Sequence, residues 1–89
     1  MRFQVYLNGF CPYCEMARDL LDRLGHDYDE IRFYLEPQER QVMEERSGRT
    51  SVPQIFLGDT HIGGYDDLAA LHRSGGLAEL LAQQGGDEG

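Results

Sequence analysis

Cys11 and Cys14, the two cysteines of this 89-residue chain, stand in the stretch "LNGFCPYCEM" (residues 7–16), with Pro12 and Tyr13 between them. Two thiols at this spacing can form a structural bridge, supply half of a tetrahedral metal site, or cycle between dithiol and disulfide. A zinc ribbon needs a second ligand pair, and His26, His61 and His72 are scattered without metal-ligand spacing, so no metal is expected. A structural bridge closing so short a loop adds little stability. A redox pair is the chemistry that C-x-x-C carries when it lies inside a β-α-β pattern.

The surrounding segments supply that pattern. "RFQVYLN" alternates Phe3, Val5 and Leu7 against Gln4 and Tyr6, which reads as a strand. "PYCEMARDLLDRLG" places Cys14, Ala17, Leu20, Leu21 and Leu24 on one helical face, with Pro12 at the first helical position and Gly25 as a stop. "YDEIRFYL" returns to strand alternation, and "PQERQVMEERSG" reads as a helix opened by Pro37 and closed by Gly48. "VPQIFLGDTHIGG" reads as two short strands around Gly58-Asp59. "YDDLAALHRSGG" is a helix that "LAELLAQQ" extends. The expected order is β-α-β-α-β-β-α, a four-stranded mixed sheet flanked by helices. Residues 1–84 form a single domain, and residues 85–89 are expected as a disordered tail.

This placement makes the two sulfurs unequal. With Pro12 opening the helix, Cys11 is its N-cap, where a side-chain acceptor receives the amides of Tyr13 and Cys14. A thiolate is a better acceptor than a thiol and sits at the positive end of the helix macrodipole, worth up to ~2 kcal/mol in a partly buried geometry. No basic residue adjoins the pair; Arg18 lies further down the helix. Cys14 is one turn in, on the apolar face, and is expected to keep its proton. Cys11 is therefore the expected nucleophile and Cys14 the resolving thiol.

The bulk composition narrows the rest. Hydrophobic residues at 40% suit a globular chain, and a net charge of −8 opposes a nucleic-acid partner. All eight basic residues are arginine. The apolar runs are too short for a membrane span, and the first residues carry no apolar signal core. The expected compartment is the cytoplasm, where thiols are kept reduced.

"CPYC" (11–14), "TSVPQIFL" (50–57) and "IGGYDDL" (62–68), in this order and at this spacing, resemble the glutaredoxin family, with similarity from Val5 to about Leu81. The resemblance implies a thioredoxin-like α/β fold and glutathione as co-substrate. It implies that the Val52–Pro53 bond is cis and that the Val52 backbone pairs with glutathione's cysteinyl residue beside Cys11. It places the γ-glutamyl carboxylate on the amides around Asp66 and Asp67, and its ammonium on the Asp67 side chain. Read alone, both aspartates cap a helix and complement its dipole, a role compatible with binding. Tyr13 is expected to line the groove and Ser51 to offer a hydroxyl. In the family a basic residue often precedes the first cysteine by three positions. Here that position is Asn8, which leaves the glycyl carboxylate to Arg40, a residue that reads equally as a solvated helix-face arginine.

The function so implied is glutathione-dependent reduction of protein disulfides and of glutathione–protein mixed disulfides. The implied partners are glutathione and disulfide-bearing or glutathionylated proteins, ribonucleotide reductase among them, and the implied state is a monomer. Two alternatives stand beside it. One is a dimer bridged by a glutathione-ligated iron–sulfur cluster, which Pro12 opposes by stiffening the turn. The other is a redoxin reduced by a flavoprotein. Such redoxins typically carry a late tryptophan motif, and this chain has no tryptophan.

Overall fold

The computed structural model describes residues 2–9 and 11–86. Strand β1 (Phe3–Leu7) lies inside a four-stranded sheet, between β2 (Tyr28–Arg32) and β3 (Gln54–Leu57), with β4 (Thr60–Gly63) at the edge beyond β3. β1 and β2 are parallel, with Phe3 opposite Tyr28 and Leu7 opposite Arg32, and helix α1 (Pro12–Arg23) makes the crossover between them. The β1–β3 and β3–β4 pairs are antiparallel.

The alternation along β1 sorts the core into two layers. Phe3, Val5 and Leu7 join Ile55 and Leu57 under α1, against Cys14, Ala17, Leu20 and Leu21. Tyr6 and Phe56 point to the opposite face, where Met43 of helix α2 (Glu39–Ser47) and Phe33 cover them. Arg18 ties α1 to β2 through Glu30 at 2.8 Å, and Arg32 reaches the same carboxylate at 3.1 Å. Burial raises the Glu30 carboxyl, but the two guanidinium partners outweigh it and hold it below its ordinary value.

Three local readings change. β2 stops at Arg32 rather than running to residue 35; Phe33 still donates its amide to Leu7 at 3.1 Å, but Leu35 is left exposed in a turn. α2 begins at Glu39 rather than Pro37, whose carbonyl instead accepts the Arg40 amide. The single terminal helix is two: α3 (Tyr65–Arg73) and α4 (Gly76–Gly86), so the order is β-α-β-α-β-β-α-α. Gly75, at φ 82°, is the cause, because a left-handed residue ends a helix and lets the next one start in a new direction. That change of direction brings Leu77 into the core. α4 includes Gly85 and Gly86, the first two residues of the expected tail; residues 87–89 lie outside the described residues. Among the described residues no helix is long and apolar enough to cross a membrane.

Candidate active site

Cys11 caps α1 as the spacing requires. Its backbone is extended (φ −143°, ψ 107°), Pro12 follows at the first helical position, and the Cys14 amide donates to Cys11 Sγ at 3.3 Å. Of the two amides expected there, the one that bonds is that of Cys14. Both cysteines are free thiols, Cys11 partly exposed and Cys14 only 2% exposed. The Cys14 thiol is pushed up to about 12, first by burial and then by its hydrogen bond to Cys11, against weaker opposition from the Asn8 backbone and Arg18. A sulfur so placed stays protonated at neutral pH. On its other side, Cys11 Sγ lies 4.0 Å from the Val52 carbonyl oxygen.

Val52 belongs to a segment that forms one wall of a groove of about 230 Å3. The Val52–Pro53 peptide is cis. Six of the residues singled out from the sequence line this groove: Tyr13, Ser51, Val52, Pro53, Asp66 and Asp67. The far wall is the start of α3. Its N-cap is Gly64, whose amide donates to Asp67 Oδ2 at 2.9 Å. Gly63 precedes it at φ 122°, and a Cβ there would fall 2.7 Å from Asp67 Cγ, so the aspartate can fold back only over a glycine. The rings of Tyr13 and Tyr65 face each other across the opening at 6.5 Å.

Arg40 is not among the groove-lining residues. It pairs with Glu44 at 3.3 Å, lies over the Phe33 ring at 5.6 Å, and approaches the groove only through the Thr50 carbonyl oxygen at 3.4 Å. The cation that does line the groove is Arg49, which donates from Nη1 to Asp67 Oδ2 at 2.9 Å. This bond, followed by the Gly64 amide, holds the Asp67 carboxyl below its ordinary value of 3.8. Sequence reasoning missed Arg49, and its one signal was an arginine inside "GRTSVP", just before the cis proline. Gln54, Gly64 and Tyr65 complete the lining. A larger hollow of about 660 Å3 between β4, α3 and α4 shares Asp67 with the groove but includes neither cysteine.

A partly exposed thiol at a helix start, a buried partner one turn on, and a cis-proline wall beside them define a thiol–disulfide redox protein on a thioredoxin-like fold. Comparison with known proteins narrows this. The family model described as Glutaredoxin matches residues 4–62. A glutaredoxin of Pseudomonas aeruginosa is 46% identical over 78 residues, covering 88% of this chain and 93% of the relative. Glutaredoxin 3 of Escherichia coli is also 46% identical over 78 residues, covering 88% and 94%. Among solved structures, a buckwheat glutaredoxin–glutathione complex superposes with a TM-score of 0.83 at 31% identity, covering 93% of this chain and 78% of that one. A solution structure of glutaredoxin from Brucella melitensis gives 0.76 at 46% identity, covering 90% and 87%. The chain belongs to the glutaredoxin family, and thiol–disulfide oxidoreduction is its chemistry.

Proposed function

We propose that the protein reduces protein disulfides and glutathione–protein mixed disulfides at the expense of glutathione, working as a cytoplasmic monomer. The observation that carries the reading is the asymmetry of the two sulfurs: Cys11 is partly exposed at the N-cap and accepts the Cys14 amide, while the Cys14 side chain is buried at 2% exposure.

With a glutathionylated protein, the Cys11 thiolate attacks the glutathione sulfur. The bond from that sulfur to the protein breaks, and the protein thiolate leaves and takes a proton. A second glutathione thiolate then attacks the glutathione sulfur on Cys11, giving oxidised glutathione and regenerating the Cys11 thiolate. With a protein disulfide, Cys11 forms the mixed bond and Cys14, once deprotonated, attacks Cys11 Sγ. The substrate leaves as a dithiol, and the Cys11–Cys14 bridge that remains is reopened by two glutathiones. The surroundings of Cys14 favour this order. While Cys11 is ionised, its hydrogen bond and its charge both oppose deprotonation of Cys14. Once Cys11 is part of a neutral disulfide these two influences vanish; burial, the largest, still holds the proton on Cys14, while the Asn8 backbone and Arg18 favour the thiolate.

The groove supports glutathione as the reductant. Val52 presents backbone beside Cys11, and Asp66 and Asp67 open α3 with free amide ends suited to a carboxylate. Asp67 can accept an ammonium on its carboxylate. Arg40 is assigned to the glycyl carboxylate, which it would meet at the margin of the groove, near Thr50. Glutathione-dependent reduction of a small mixed disulfide tests the reading. Cys14→Ser should keep turnover and Cys11→Ser should have none, and the reverse order would overturn the assignment of roles.

A further inference from the structure

Gln54 is the one polar side chain among the described residues that is fully buried, at 1% exposure. A buried amide must have partners for both its ends, and here the partners determine its orientation. Gln54 Nε2 lies 3.0 Å from the Ser51 carbonyl oxygen and 3.3 Å from Ser51 Oγ. A carbonyl oxygen can only accept, so the nitrogen must face Ser51 and Oε1 must face the other way, towards His61 Nε2 at 2.8 Å. His61 must therefore donate, which places a hydrogen on Nε2. Packing holds the ring in this orientation. It lies 4.8 Å from the ring of Phe56, its partner across the β3–β4 ladder, beside a register shift between Ile55 and Phe56. Burial, then Arg49, lower the affinity of this imidazole for a second proton, Arg46 adds to them, and Asp67 alone opposes.

We propose that His61 and Gln54 are positioning residues for the glutathione groove. Through them a donor–acceptor relay from the edge strand fixes the carbonyl and hydroxyl of Ser51, and with them the Val52 backbone beside Cys11. This rests on the glutathione reading above. His61 does not line the groove, so its effect reaches substrate only through Gln54 and Ser51.

His61→Phe keeps a ring over Phe56 but removes the donor. His61→Gln keeps an N–H at similar reach. The expected result with a glutathionylated peptide is a KM raised about tenfold in His61→Phe, with kcat and the iodoacetamide alkylation rate of Cys11 unchanged, and near-normal KM in His61→Gln. Unchanged KM in His61→Phe, or KM and alkylation rate damaged together, would overturn the proposal. Nitrogen-15 NMR of the wild-type imidazole at pH 7 gives a second test that does not depend on the variants folding. A hydrogen on Nε2 is expected, and one on Nδ1 alone would overturn the proposal. Absence of glutathione-dependent turnover in the wild type would instead remove the reading beneath it, and the proposal with it.

Discussion

Cys11 and Cys14 have the same side chain, and their difference comes wholly from position. One turn of helix separates a sulfur that accepts an amide hydrogen at the N-cap from one packed against Ala17 and Leu21. This much was legible in the sequence, because Pro12 fixes the first helical residue and the apolar spacing fixes the buried face. The partner of Asp67 was not legible, since Arg49 and Asp67 meet only after β3 and β4 have reversed the chain between them. A substitution follows at this scale. Arg49→Gln removes the first cause of the lowered Asp67 carboxyl, so its titration, followed by carbon-13 NMR, should move upward towards 3.8. An unmoved titration would mean that the Gly64 amide alone holds it.

At the scale of elements, the parts that pattern strongly were the readable ones. β1, α1 and the β3–β4 hairpin stand where periodicity and turn residues put them. The split between α3 and α4 was missed because "SGG" interrupts a sequence whose leucines continue on both sides, and only the left-handed turn at Gly75 separates the two axes. Gly63 illustrates the same point within the site. Its φ of 122° and the fold-back of Asp67 leave no room for a Cβ. Gly63→Ala should therefore cost about 1–3 kcal/mol, measured by urea unfolding. A cost near zero would mean that the turn into α3 relaxes freely. Leu21→Ala, in the fully buried face of α1, should cost about 2–5 kcal/mol in the same assay.

For the molecule as a whole, stability should fall on acidification in two steps. His61 has a folded-state value lowered from 6.5, first by burial, so its contribution is complete above the unfolded value and is lost as pH falls below about 6.5. Asp67 and Glu30 are lowered as well, from 3.8 and 4.5, so their contributions are lost only on further acidification through those values. Denaturant midpoints measured from pH 8 to pH 3 should show both losses, and His61→Gln should lack the first. The net charge of −8 belongs to this scale too, since it biases which proteins approach the groove and disfavours strongly acidic ones.

The most direct measurement is made on the chain's two sulfurs themselves. The reduced protein is treated at pH 7 with less than one equivalent of iodoacetamide, and the modified peptide is identified by mass spectrometry. Label is expected on Cys11, with Cys14 reacting only after unfolding. Label first or equally on Cys14 would contradict the division between a partly exposed, amide-capped nucleophile and a buried, protonated partner.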